Sequence, residues 1–296
     1  MARNYYYLVA GLREYNIDTD TKGFDVLAIR DEISEELQAS DRKHLRELYT
    51  FYDISNIIAL WNEKGNFNTL GNYTKEELEE EIKQPENLPK YIADVILAYK
   101  NKIKEDKINE IDETIDTDIP FERNLWTRFY EACQKSGNSF IRNWYAFDKQ
   151  LRNISGAYTA RKIGREVEPE LVGNDDINNA LSRNSSSDFG LKAEIDYIDS
   201  LVQILENKNM AEKERQLDLL RWSVADNLTD IDYFNMNKIL AYCVKLNIIH
   251  RWMNLDKQIG YEMFHKLVED LTGREIVSRA VDAVEGLDNR AKRIKQ

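Results

Sequence analysis

The sequence predicts an all-α fold. Three observations carry that expectation: apolar residues recur at helical spacing, glycine and proline sit between the periodic runs, and alternating patterns are nearly absent. The chain has 296 residues, with 12 glycines and 4 prolines. Pro89 and Pro120 stand just inside the starts of apolar runs, where a missing N–H costs nothing. Pro85 and Pro169 lie in polar connectors, and Gly23, Gly65, Gly71, Gly137, Gly173, Gly190 and Gly273 separate periodic segments.

The expected helices follow in order. Residues 41–61 carry Leu45, Leu48, Tyr49 and Tyr52 at three- and four-residue spacing, with Asp41 as a cap. Residues 89–105 align Tyr91, Ile92, Val95, Ile96, Tyr99 and Ile103 on one stripe. From Pro120 the stripe is Phe121, Leu125, Trp126, Phe129 and Cys133, and from Ser139 to Arg161 it is Phe140, Trp144, Phe147, Leu151, Ile154 and Tyr158. Later runs cover 188–207, 211–227, 233–252, 255–271 and 274–293. Thr74-x-x-Glu77 and Thr272-x-x-Glu275 have the spacing of capping boxes, which satisfy two orphan donors at a helix start. Only Tyr5–Val9 offers a short strand. Residues 165–187, polar and rich in Asn and Ser, read as a connector or surface loop with at most one helical turn.

Composition limits function. Hydrophobic residues make up 42% and charged residues 32%, enough for a core beneath a solvated surface. The net charge of −12 argues against general nucleic-acid binding and against adhesion to an anionic membrane. No segment approaches the roughly 20 apolar residues of a membrane span. Tyr5–Ala10 is too short for a secretory signal core, so a cytoplasmic chain is expected. Cys133 and Cys243 lie far apart in apolar runs and read as buried free thiols suited to a reducing compartment.

Motifs of the common nucleotide and zinc enzymes are missing: no P-loop, no Gly-x-Gly-x-x-Gly after a strand, no Cys-x-x-Cys and no His-Glu-x-x-His. The histidines are His44, His250 and His265. Glu262-x-x-His265 has the spacing of two metal ligands on one helix face, and Asp41-x-x-His44 is a weaker copy. Among so many acids such spacing arises by accident, and ordinary histidines are expected. Cys133 reads as an inert core thiol. The acidic run Glu76, Glu77, Glu79, Glu80 and Glu81 reads as a solvated helix face, with a partner patch as the alternative. Basic residues gather at Arg152, Arg161, Lys162 and Arg165, which could meet an acidic partner. A second group, Arg290, Lys292, Arg293 and Lys295, suits a helix C-terminus. No catalytic residue, cofactor or metal is expected.

Three sites share a local pattern. Asn56-Ile57 precedes Trp61, Asn153-Ile154 precedes Tyr158, and Asn247-Ile248 precedes Trp252. They are spaced by about 95 residues, a period that could mark three helical modules. The modules would span 1–115, 116–208 (with the polar loop 165–187) and 209–296.

The opening NYYYLVAGL resembles the start of an uncharacterised bacterial family encoded among V-type ATPase genes and distantly similar to the V-type ATPase C subunit, called d in eukaryotes. Residues 233–256 resemble the family's C-terminal helical repeat, 143–164 its middle repeat, and 51–61 its first. The resemblance implies a funnel-like, all-α protein of three related modules. It would sit on the membrane rotor ring and receive the central stalk, transmitting torque without catalysis. Its partners would be the stalk and ring subunits, and it would be peripheral to the inner membrane through that complex. The motifs carry no catalytic or ligand residue to transfer, and the 165–187 loop departs from the expected close succession of helices. A diverged accessory factor is therefore the variant of this reading. Its rivals are a free-standing helical scaffold or adaptor, and a helical metal-carboxylate enzyme built on Glu262 and His265.

Overall fold

The computed structural model describes residues 4–15, 24–104 and 114–255. Among these residues the fold is all-α, with no strand. They divide into two compact units, one of residues 4–14, 25–104 and 114–247, the other of residues 15, 24 and 248–255. In the second unit Tyr15 meets Phe24 edge to face at 5.1 Å, and Asn254 Nδ2 lies 2.9 Å from His250 Nε2.

The first unit opens with α1 (Tyr6–Gly11) and α2 (Val26–Glu36). The segment that offered a strand is thus a helical turn, closed by the Val9 N–H bond to the Tyr5 carbonyl at 2.9 Å. The helix α2 has no counterpart among the expected runs. It is stopped at its start by Asp25, whose carboxylate accepts from the N–H groups of Leu27 and Ala28. Next come α3 (Ala39–Trp61), α4 (Lys75–Lys83) and α5 (Lys90–Lys104). Asp41 falls inside the first turn of α3 and Gln38 is the N-cap, so the cap lies three residues before the expected one. The Thr74 capping box forms as expected: Glu77 N–H donates to Thr74 Oγ1 at 3.2 Å, and Thr74 N–H donates to Glu77 Oε2 at 2.8 Å.

Then follow α6 (Phe121–Gln134) and α7 (Ser139–Lys162), which match the expected runs closely. The polar stretch 165–187 is more ordered than its composition suggests. It holds a 3-10 turn at Glu168–Glu170 and a two-turn helix, α8 (Asp176–Arg183), capped by Asp175. The run expected over 188–207 is helical only as α9 (Ile198–Glu206). Phe189 and Gly190 take φ of 56° and 70°, left-handed values that no helix accepts, and so delay its start. The unit closes with α10 (Met210–Asn227) and with α11, residues 236–255, of which 236–247 belong to it. The runs expected at 255–271 and 274–293, and the Thr272 capping box, lie outside the described residues.

An aromatic seam joins α3, α6 and α7. Phe51 lies 5.1 Å from Trp126 and 6.2 Å from Tyr145, while Phe129 meets Tyr145 edge to face at 4.8 Å. Trp61 stacks on Phe121 at 4.2 Å. Such ring pairs add about 0.5–1.5 kcal/mol each beyond their area. Polar bonds cross the same junctions. Tyr145 Oη donates to the Leu48 carbonyl at 2.5 Å, Tyr49 Oη to Asn247 Oδ1 at 3.2 Å, and Asn138 Nδ2 to Asn237 Oδ1 at 2.9 Å. The three longest helices, α3, α7 and α11, are therefore bonded pairwise.

Two of the three expected asparagines do the same job. Asn56, 1% exposed on α3, donates through Nδ2 to the Asn68 carbonyl at 2.8 Å and accepts from the Asn68 N–H at 2.7 Å. Asn153, 1% exposed on α7, treats Val172 alike, at 3.0 and 2.9 Å. In both, the gripped connector then passes through a Gly-Asn pair into a short capped helix, α4 or α8, whose Leu78 or Leu181 is fully buried. Each glycine is needed. A Cβ on Gly71 would stand 2.6 Å from Asp53 Oδ1, and Gly173 has φ of 79° with Lys149 Nζ 2.7 Å from where a Cβ would be. The segments α3–α4 and α7–α8 are thus two copies of one arrangement. Asn247 stands at the matching register of α11 and accepts from Tyr49; the residues where its own connector would fall lie outside those described. The module boundary expected at 208/209 falls between α9 and α10.

Replacing Asn153 by alanine strands the buried Val172 N–H and Asn178 Oδ1, while the Val172 carbonyl keeps Asn178 Nδ2. Urea unfolding is expected to show a loss of about 2–4 kcal/mol, whereas Asn227→Ala, at an exposed position, changes stability by less than about 0.5 kcal/mol.

Candidate functional site

The groups with most chemical potential in the sequence are taken up by the fold. Asp41 accepts from the phenol of Tyr5, the N-cap of α1, while His44 Nδ1 lies 2.9 Å from Glu47 Oε2. Glu47 Oε2 also accepts from Ser136 Oγ at 2.6 Å. The Asp41/His44 pair therefore does not converge on a shared ligand. Among the described residues no group of three or more His, Cys, Asp or Glu could hold a metal ion. Glu262 and His265 lie outside the described residues.

Both thiols are free and buried. Burial, reinforced by the charges of Glu47 and Asp148, pushes the Cys133 thiol far above its ordinary range. Burial pushes Cys243 up to about 12. Neither forms a thiolate at neutral pH, which suits inert packing.

The charged runs divide between structure and surface. In the acidic run, Glu77 closes the capping box and Glu81 is buried, accepting from the N–H groups of Glu86, Asn87 and Leu88 and from Asn87 Nδ2. Glu76, Glu79 and Glu80 face solvent. In the basic group, the Arg152 guanidinium lies 4.0 Å from the Trp126 ring centre. Arg161 lies 4.0 Å from the Phe189 ring and donates to the carbonyls of Leu181, Asn184 and Ser186. Lys162 sits 5.7 Å from the Tyr158 ring, and Arg165 is exposed. Half of this expected docking patch thus holds the 181–189 connector and the aromatic seam. The C-terminal basic group lies outside the described residues.

Asp53 is the buried carboxylate with the most perturbed setting. It is 1% exposed and accepts from the Asn72 N–H and from Asn72 Nδ2, both at 2.6 Å. Burial raises its pKa from 3.8 to about 6, against the pull of these bonds, a Tyr73 N–H and the Arg46 charge. It tethers the connector one turn before Asn56. In the second copy Lys149 does so, bonding Asp175 Oδ2 at 2.7 Å.

One surface feature escaped the sequence reading. No residue of α1 is buried, although its sequence YYLVAG is wholly apolar or aromatic. Tyr6 packs on Phe234 at 4.8 Å between ring centres, and the Tyr5 N–H donates to the Phe234 carbonyl at 2.5 Å. The turn 229–235 adds Ile231 and Tyr233. Tyr7, Ile231, Tyr233 and Tyr6 are 97%, 87%, 69% and 55% exposed. Tyr6 and Phe234 form an exposed aromatic contact, with Tyr7, Ile231 and Tyr233 exposed beside them along the chain, and exposed apolar groups of this kind mark interaction surfaces. Its signal in the sequence was Ile231, Tyr233 and Phe234 crowded into a polar turn between two helices.

Among the described residues these features define an all-helical protein in which α3 and α7 grip their own connectors and exposed aromatic residues gather at α1 and the 229–235 turn. The chain belongs to the family described as "Protein of unknown function (DUF2764)", whose model matches residues 1–275. No curated protein and no solved structure matches it. No helix among the described residues is long and apolar enough to cross a membrane.

Asp53 gives a pH test with a defined sign. Its folded pKa lies above its unfolded value, so its contribution to stability is full below pH 3.8 and is lost as the pH rises through about 6. Wild type relative to Asp53→Asn is expected to lose on the order of 3 kcal/mol across that window in urea titrations. Equal pH slopes for the two proteins would contradict the assignment.

Proposed function

We propose that this protein is a non-enzymatic connector subunit of a V-type rotary ATPase, linking the central stalk to the membrane rotor ring. The observation that carries the proposal is the duplicated asparagine clamp. Asn56 and Asn153 hold equivalent connectors in equivalent ways, and Asn247 stands at the same register on the third long helix. A threefold helical repeat is what the resemblance to the C subunit implies. The aromatic seam and the pairwise bonds between α3, α7 and α11 add the stiffness that torque transmission requires. In this role the protein is peripheral to the inner membrane, held there by protein partners.

A tagged full-length chain, recovered from native cells after gentle membrane solubilisation, is expected to bring down stalk and ring subunits in near-equal amounts by mass spectrometry. Recovery of neither, with the ATPase intact elsewhere in the lysate, would leave a free-standing helical adaptor.

A further inference from the structure

We propose that the cleft between α5 and α6 binds a small zwitterion, an aliphatic α-amino acid, with its ammonium on Asp94 and its carboxylate on Lys90, Lys135 and the Tyr91 phenol. The assignment does not depend on the connector role proposed above.

The cleft has a volume of about 410 Å³, the size of a pocket for a small metabolite. One wall is the face of α6 that carries Arg128, Glu131 and Ala132 and ends at the C-cap Lys135. At the helical rise that face is about 10 Å long. The other wall is the start of α5, with Lys90, Tyr91 and Asp94. Ile115, in the connector before α6, and Ala132 supply apolar surface.

The cleft gathers polar side chains that the fold leaves without partners. Lys90, Asp94 and Lys135 make no hydrogen bond or ion pair among the described residues, and neither does the Tyr91 phenol. Every sealed polar side-chain atom among those residues has a partner. A phenol without one therefore opens onto the cleft that it lines. Burial pushes the Tyr91 phenol well above its ordinary range, so it stays protonated and can donate. Arg128 is already engaged: its Nη1 lies 3.4 Å from Glu131 Oε2, and its Nη2 donates to Thr114 Oγ1.

The remaining groups select the ligand by sign. Two ammonium groups and a phenol donate, and one carboxylate accepts. A simple anion would meet like charge at Asp94, and a simple amine would meet it at Lys90 and Lys135. A molecule carrying both charges a few bonds apart meets each group with its opposite. Ile115 and Ala132 then suit an aliphatic side chain. Ion pairs this open to water are weak, so a dissociation constant of about 1 mM is expected.

The test is an amide NMR titration of the full-length chain with L-leucine, beside 4-methylpentanoate, which lacks the ammonium, and 3-methylbutylamine, which lacks the carboxylate. Leucine is expected to shift the amides of Tyr91, Asp94 and Ala132, and each analogue to bind at least about tenfold more weakly. Asp94→Asn should weaken leucine about tenfold and Tyr91→Phe about threefold. Neither change removes a bond within the fold, so both variants should keep the wild-type urea midpoint. Arg165→Gln, at an exposed position beyond α7, should leave the affinity unchanged. No shift of these amides with leucine at about 10 mM would overturn the assignment. So would 4-methylpentanoate binding as tightly as leucine, or wild-type affinity in Asp94→Asn.

Discussion

A buried primary amide can give a donor and an acceptor to the same residue's backbone, and Asn56 and Asn153 use theirs in this way. Each satisfies the N–H and C=O of one residue in a connector that has no ladder or helix to do so. Backbone groups shielded from water without partners are costly, so a connector packed against the core must find a substitute for regular structure. The clamp supplies one. It also fixes where the next short helix starts, because Thr74 and Asp175 follow the gripped residue closely and cap α4 and α8. Much of the packing around Leu78 and Leu181 depends on that placement.

The clamps sit on the long helices that also form the centre of the first unit. On α3, Tyr49 reaches Asn247 two turns before Asn56 grips its connector, and Leu48 accepts from Tyr145 of α7. One helix therefore carries the contacts within its own segment and the contacts to the others. The second tether varies in chemistry between the copies, a carboxylate at Asp53 and an ammonium at Lys149, while the amide does not. The geometry of the clamp allows this, since only a primary amide offers both a donor and an acceptor in one plane at that reach.

Much of this was legible in the sequence, for identifiable reasons. The spacing of Leu45, Leu48 and Tyr49, or of Phe140, Trp144 and Phe147, follows the helical period because those faces are buried. The Asn-Ile pattern marked the clamps without revealing their purpose, since the gripped residues, Asn68 and Val172, carry no signal of their own. The stretch 165–187 looked like an interruption because α8 is short and polar, with Leu181 its fully buried apolar side chain. In the structure it is the counterpart of α4. The helix α2 was missed because its apolar residues bunch in its first turn, Val26 to Ile29, where they show no helical spacing, and only Val26 and Ile33 are buried. The exposed aromatics escaped notice for another reason: periodicity carries no signal for Tyr6 and Tyr7 in so short a segment, and tertiary placement is what leaves them outside.

The central claim, that two connectors are held against the core by side-chain amides, is tested most directly by residue-resolved amide hydrogen exchange. The N–H groups of Asn68 and Val172 lie outside any helix, yet their protection is expected to approach that of Ile57 and Ile154 in the middle of α3 and α7. Exchange of both at the rate of an exposed connector residue such as Asn66 would contradict it.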